Sequence, residues 1–337
     1  MNRLFSLAIL LLITGISCVS ATEVSTEVRA ALDIGSGSTK ISIAEVDKET
    51  NQIVQTLFDG SFPVPYQVSL EKSQDGSFDA EVRAKGLTAF HEIKKITESY
   101  QVEKIVAVAT AAFREASNAR EYAKEVYEKT AIDIQIITQP EEGKIAFFSA
   151  IAVNDVSPDD IVVWDIGTGS LQITTLTEEQ NFCVLLGKMG SIPFRDYVIE
   201  VLQDKDPSEV TTPNPISEED LKQADRYARS LARKAYPAIK NKIKNQQQVI
   251  GIGRLFYHSI RPLLTDGNQL NRKDLRNYIE ETLNKTDEEL NDPYAHVNLT
   301  NCILVLAYMK ALHIQEVTAV DTTSAKGLLV YPEYWSR

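Results

Sequence analysis

Two apolar runs, 28–32 and 161–164, each lead into a glycine-rich turn, and each turn leads into alternating apolar and polar positions at 40–43 and 172–174. That pattern predicts strand, tight turn, strand, twice over. The turns share one wording: Asp33-Ile34-Gly35-Ser36-Gly37-Ser38 and Asp165-Ile166-Gly167-Thr168-Gly169-Ser170. After the first hairpin the periodicity predicts a helix over 79–99, a strand over 104–110, a helix over 119–129, a strand over 132–138 and a helix over 141–153. The polar stretch 154–160, with Ser157-Pro158 and three aspartates, reads as a crossing between units.

The second half repeats the order. Strands are expected at 161–165, 171–177 and 182–186, followed by a charged helix over 218–236. Ser217 is its N-cap, and Asp220 three residues on gives a capping-box-like start. The loop 207–215 is rich in Pro and Thr. A short buried strand at 249–250 runs into Gly251-Ile252-Gly253, and a helix near 296–312 precedes a strand near 317–320. Strands alternating with helices mean mixed α/β sheets. The repeat divides the chain into two similar α/β domains, 22–155 and 156–337.

The first residues read as a targeting signal. Arg3 supplies the positive start, 4–16 is apolar, and Val19-Ser20-Ala21 fits cleavage after Ala21. A signal peptide over 1–21 implies an exported, periplasmic protein beginning near Thr22. Cleavage before Cys18 with lipid attachment there is the alternative, although Gly15 stands where such sites usually carry Leu. No later stretch reads as a membrane span.

The formal charge of -12 argues against a nucleic-acid binder. It does not exclude an anionic substrate, because local cations or a metal reverse the field inside a cleft. Cys183 and Cys302 lie in apolar runs and read as buried free thiols rather than a disulfide, without metal-ligand spacing. His91, His258, His296 and His313 are scattered and read as structural. The sequons at Asn284 and Asn298 are set aside.

Chemistry concentrates in the glycine turns. A strand-turn-strand glycine loop presents bare backbone N–H groups that suit phosphate oxygens. An aspartate at the strand end can hold hydrated Mg²⁺ or a water against that phosphate. One copy alone is a tight hairpin; two copies facing one ligand make a phosphate clamp.

The two loops resemble the phosphate loops of the actin/hexokinase/Hsp70 superfamily. The stretch Val108-Ala109-Thr110-Ala111-Ala112-Phe113-Arg114-Glu115-Ala116-Ser117-Asn118-Ala119 narrows the likeness to the exopolyphosphatase/guanosine pentaphosphate phosphatase (Ppx/GppA) family. So do Ile134-Gln135-Ile136-Ile137 with Pro140-Glu141-Glu142-Gly143-Lys144, and the ending Ala319-Val320-Asp321 with Lys326-Gly327-Leu328-Leu329. The resemblance implies a two-lobed actin-like (ribonuclease H-like) ATPase fold around a central cleft. It also implies Mg²⁺-dependent release of terminal phosphate from polyphosphate or a related phosphoanhydride.

In that reading Glu142 activates the attacking water, Asp165 and Asp33 orient metal or water, and Arg114 faces the phosphate. Gly35, Ser36, Gly37, Ser38, Gly167, Thr168, Gly169, Ser170, Lys144, Gly253 and Arg254 are expected to bind phosphate. The chain departs from the family pattern at Gly37 (usually Asn), at Thr168 (usually Gly), at Leu171-Gln172 (usually Thr-Glu) and at Arg254-Leu255 (usually Gly-Thr). Export argues against guanosine pentaphosphate, an intracellular signal. The other readings are a non-catalytic polyphosphate- or nucleotide-binding protein and an ATP-dependent kinase of the same superfamily. The expected partners are a small phosphoanhydride, no nucleic acid, no membrane, and a second copy of the chain in a homodimer.

Overall fold

The computed structural model describes residues 25–154, 156–245 and 247–336. The signal peptide and Cys18 lie outside the described residues. The first half runs β1 (Thr26–Ile34), β2 (Ser38–Asp47), β3 (Ile53–Pro63), α1 (Tyr66–Lys72), α2 (Ala80–Ser99), β4 (Lys104–Ala109), α3 (Ala111–Glu115), α4 (Ala119–Thr130), β5 (Ile134–Ile136) and α5 (Gln139–Val153). The second half continues with β6 (Ile161–Ile166), β7 (Leu171–Leu176), β8 (Phe182–Gly187), α6 (Ser191–Tyr197), α7 (Glu218–Ala232), α8 (Pro237–Lys244) and β9 (Gln248–Ile252). It ends with α9 (Arg261–Leu264), β10 (Gln269–Asn271), α10 (Arg272–Thr282), α11 (Asp287–Leu290), α12 (Ala295–Leu312), β11 (Glu316–Val320) and α13 (Ser324–Val330). π-Helical turns occupy Val198–Leu202 and Leu255–Ile260.

The two sheets are built alike. The first has the order β3-β2-β1-β4-β5, the second β10-β11-β9-β6-β7-β8. In each, the opening hairpin is antiparallel and the next two strands join parallel to its first strand. β1 thus matches β6, β2 matches β7, and β4 matches β9, with β10 an added edge. The repeat expected from the twin turns is a repeat of sheet topology.

The halves are laced together by their last helices. α5 closes the first half but packs on β6, β7 and β8 of the second sheet, while α13 closes the second half and packs on β1 and β2. The two helices cross where Gly327 leaves no room for a side chain: a Cβ there would stand 2.2 Å from the Ile145 carbonyl oxygen. Arg29 Nη1 donates to the Leu329 carbonyl (3.0 Å), and Lys326 pairs with Asp59 (2.9 Å), so α13 is fastened to the first sheet by polar as well as apolar contacts.

Sequence expectation and structure part in three places. The charged helix capped by Ser217 and Asp220 forms with both halves of its capping box, but ends at Ala232, because Pro237 at the first turn of α8 starts a new helix. Cys183 is half-buried rather than buried, while Cys302 is buried and both are free. α12 reaches membrane-spanning length and composition, with a mean hydropathy of 1.2 over 18 residues, against the expectation that no later segment does. Its window is 78% buried, which is the signature of a core helix surrounded by protein on all sides.

Candidate active site

Each glycine turn is closed at its base by the same hydrogen bond: Gly35 N–H to the Ser38 carbonyl (2.9 Å) and Gly167 N–H to the Ser170 carbonyl (2.8 Å). The loop carbonyls are then claimed from outside. Gln67 N–H and Val64 N–H donate to the carbonyls of Ser36 and Gly37, and Ser191 N–H and Ile192 N–H to those of Gly167 and Thr168. With the carbonyls so occupied, the N–H groups of Ser36, Gly37, Thr168 and Gly169 have no acceptor among the described residues. The two loops meet: a Cβ on Gly169 would stand 3.6 Å from Ser36 Oγ. Four uncommitted amides from two loops converge, an arrangement that favours an anion.

The loops floor a cleft of about 550 Å³. It is lined by Asp33, Ser36, Gly37, Ser38 and Lys40 from the first half, by Glu142 at the start of α5, and by Asp165, Gly167, Thr168, Gly169, Ser170, Gly253 and Arg254 from the second. Antiparallel register sets Lys40 directly opposite Asp33, and its Nζ lies 3.2 Å from Asp33 Oδ2. Asp33, with Asp165 behind it, pushes the Lys40 ammonium up from its ordinary pKa, so it stays charged despite burial and the nearby Arg254. Sequence reasoning missed Lys40. The signal was there: seven residues past an aspartate, across a four-residue antiparallel turn, is the position that faces it.

The second hairpin places Gln172 opposite Asp165 instead. Burial and Glu142 push the Asp165 carboxyl up to about 7, against the pull of Lys40. Glu142 is likewise raised, chiefly by burial, and Arg114 works in the other direction. Gly253 sits at φ +85°, and a Cβ there would lie 3.0 Å from Asp165 Oδ1. A side chain at 253 would therefore be strained in backbone and crowd the carboxylate. The following Arg254 is exposed and has no hydrogen bond or ion pair among the described residues.

Several expected residues stand elsewhere. Arg114 does not line the cleft; it lies behind Glu142, with Nη2 2.8 Å from Oε2 and Nη1 donating to the Ile137 carbonyl. Lys144 is also off the cleft, because two residues along the helix turn it by roughly 200° from Glu142: it pairs with Glu141 at 3.0 Å and rests over the Phe182 ring. Gly35 lies at the base of its turn rather than on the cleft. Conversely, His258 and His296 line the cleft although the sequence reads them as structural, because the turn after β9 and the start of α12 converge there. His258 Nε2 is 3.2 Å from Asp321 Oδ1, and the His296 imidazole is pushed down by burial and by Arg195.

Among the described residues no group of three or more His, Cys, Asp or Glu side chains is arranged to hold a metal ion. Asp33 and Asp165 are two hard carboxylate donors beside a phosphate-sized nest. That donor set fits Mg²⁺, which takes one or two carboxylates and completes its shell with substrate phosphate and water.

The fold recurs in solved structures. The crystal structure of the Aquifex aeolicus Ppx/GppA family member matches with a TM-score of 0.71 at 18% identity, over 91% of this chain and 97% of that one. An exopolyphosphatase from Cytophaga hutchinsonii matches with a TM-score of 0.66 at 16% identity, over 90% and 96% of the two chains. In sequence, 151 residues are 31% identical to the bifunctional 3-dehydroquinate synthase/phosphatase of Fusobacterium nucleatum, a match spanning 43% of this chain and only 22% of that protein. The model of the Ppx/GppA phosphatase family matches residues 46–333, nearly the whole described chain, and the protein belongs to that family.

Proposed function

We propose that this protein is a phosphohydrolase that releases the terminal phosphate of polyphosphate or a related phosphoanhydride. The observation that carries the reading is the set of four free amides from two facing loops, with a buried carboxylate, Glu142, on the same cleft. The amides and the Lys40 ammonium hold the transferred phosphoryl group and stabilise the charge that develops on its oxygens. Glu142 accepts a proton from a water in line with the leaving oxygen. Its raised affinity for a proton suits a general base working near neutral pH. Arg254, unpaired at the cleft, supplies further positive charge to the incoming anion. Mg²⁺ held by Asp33 and Asp165 would neutralise phosphate charge when bound. The N-terminal signal pattern supports action outside the cytoplasm.

Phosphate release from polyphosphate with Mg²⁺ tests the reading. Wild type is expected to be active, Glu142→Gln to lose about 10²–10⁴-fold, and a chelator to lower the rate reversibly. Tight binding without release by the wild type would leave a binding protein, and phosphorylation of an alcohol by ATP would make it a kinase.

A further inference from the structure

The second phosphate loop is held from behind by a relay of polar side chains. Its carbonyls at Gly167 and Thr168 accept from the amides of Ser191 and Ile192, the first two residues of α6, at 3.0 Å each. The N-cap of α6 is Gly190, which has no side chain to offer those amides. The loop therefore caps the helix, and the helix fixes the loop. Ser191 is in turn gripped by α12: its Oγ donates to Asn301 Oδ1 (2.7 Å). Asn301 Nδ2 donates to Ser259 Oγ (3.3 Å), Ser259 Oγ to Asn298 Oδ1 (2.6 Å), and Asn298 Nδ2 to Asp292 Oδ2 (2.6 Å). Donation runs one way, from Ser191 to the Asp292 carboxylate, so each bond polarises the next.

Asn298 and Asn301 are 2% and 3% exposed, on a helix that continues apolar from 302 to 309. A buried amide costs free energy unless its groups are bonded, and the two ends of Asn301 are used on different elements. One end holds α6 and with it the second loop. The other holds Ser259 in the turn Leu255–Ile260, which follows Gly253 and Arg254 directly. A single side chain thus ties together the two segments that meet at Asp165. The first loop is seated differently. Gln67 on α1 donates to the Ser36 carbonyl, and α1 is pinned by the Tyr66 ring, 5.0 Å from that of Phe113 and 5.2 Å from that of Phe78. Aromatic packing serves the first loop, and the polar relay serves the second.

We propose that Asn301 is a positioning residue for the reaction: through Ser191 it fixes α6 and aims the free amides of Thr168 and Gly169 at the phosphate. This role rests on the second loop being a seat of the transferred phosphate, as in the phosphohydrolase reading. Loss of the Asn301 amide leaves the Ser191 hydroxyl without its acceptor. The first turn of α6 then shifts against the loop carbonyls, and two of the four amides lose their alignment.

The test is a titration with inorganic phosphate, paired with thermal melts and with amide hydrogen exchange on the phosphate-free protein. Asn301→Ala and Ser191→Ala are each expected to weaken phosphate binding by about tenfold. In both, the Ser191 and Ile192 amides should exchange about tenfold faster while β6 keeps its protection. Ser191 is only half-buried, so its variant answers the same question should Asn301→Ala fold poorly. Ser191→Thr, which retains the hydroxyl, should bind as the wild type does. Because both residues act through one bond, the double variant should lose no more than the worse single. Thr300→Val is the control: Thr300 is also buried on α12, but its hydroxyl donates to the Val297 carbonyl of the same helix (3.0 Å), so phosphate affinity should hold. Affinity lost with exchange at Ser191 and Ile192 unchanged would show that Asn301, which also lines the cleft, touches the anion itself, and overturns the positioning role. A fall in Tm with phosphate affinity intact overturns it too. Polyphosphate hydrolysis by the wild type separates the two readings. Release by the wild type, with phosphate affinity intact in Asn301→Ala, sinks the positioning role and leaves the hydrolase. Phosphate binding that depends on Asn301, without release by the wild type, does the reverse. A wild type that binds no phosphate overturns both.

Discussion

The Arg114 guanidinium stands behind the Glu142 carboxylate, Nη2 to Oε2 at 2.8 Å, and its second nitrogen is tied to the Ile137 carbonyl ahead of α5. Arg114 is thus anchored at both ends of a short bridge and acts through Glu142. It holds the carboxylate in one rotamer and opposes the upward push of burial on its proton affinity.

Replacing Arg114 by Gln removes that opposition. The Glu142 pKa then rises further, a smaller fraction is ionised at pH 7, and the ascending limb of the pH–rate profile moves to higher pH. At neutral pH kcat is expected to fall by about 10–100-fold, part of the total that a positioned base contributes. Arg114→Lys keeps the charge but not the fork, and should restore the position of the limb more than the rate. A limb that stays in place while KM alone rises would mean that Arg114 contacts substrate.

Asp165 makes the site costly to the fold. Its carboxyl titrates near 7 in the folded chain against 3.8 as the reference. The folded state therefore holds a proton there that the unfolded chain releases between those values. The sign follows: the group's contribution to stability is complete below about pH 4 and is lost as pH rises through about 7. Asp165→Asn, permanently neutral, should raise Tm by a few degrees at pH 8 and by little at pH 4, while abolishing turnover. Melting curves at the two pH values decide it; an equal effect at both would show that Asp165 is not protonated by its surroundings.

Much of this fold is legible in the sequence. The twin turns, their strands and the order of elements rest on local patterns of apolar alternation and glycine, and local patterns are what a sequence displays. The capping box at Ser217 and Asp220 was readable for the same reason. What was hidden is what depends on direction or on distant segments. Lys144 and Glu142 are neighbours in sequence, yet the helical step turns one off the cleft. His258 and His296 are far apart in sequence, and only the packing of the turn after β9 against α12 brings both to the lining. The exchange of α5 and α13 between sheets follows from burying both faces of each sheet, a requirement of the assembled molecule rather than of any segment.

Lys40 should govern affinity for the phosphate chain. It is about a quarter exposed and pairs with an almost fully buried Asp33. Lys40→Met strips the one ammonium from a cleft holding Asp33, Asp165 and Glu142, so the site becomes repulsive to phosphate. KM for any phosphoanhydride is expected to rise tenfold or more, with a stability loss of about 1–3 kcal/mol from the unpaired Asp33. Lys40→Arg should recover most of both. Steady-state kinetics at two salt concentrations checks the electrostatic origin, because the mutant's loss should be largest at low ionic strength.

Gly190, the N-cap of α6 packed on the second loop, and Gly37 within the first differ in how much room they need, and that difference is testable. A Cβ on Gly190 would stand 2.6 Å from the Ser170 amide nitrogen and 2.7 Å from the Gly167 carbonyl oxygen, both backbone atoms of the second loop. Neither can yield without moving the turn, so Gly190→Ala should displace the free amides of Thr168 and Gly169. A cost of about 1–3 kcal/mol and a loss of phosphate binding larger than the loss of stability are expected. Gly37 is the opposite case: nothing lies within 4 Å of a Cβ there, and its φ is not in the left-handed region. Gly37→Asn, the residue more usual at this position in the family, should fold as the wild type does and keep phosphate binding, since the loop uses the amide of residue 37 and not its side chain. Thermal melts paired with phosphate titrations on both variants test the argument. Equal damage from the two substitutions would show that the loops hold phosphate by something other than the backbone arrangement described.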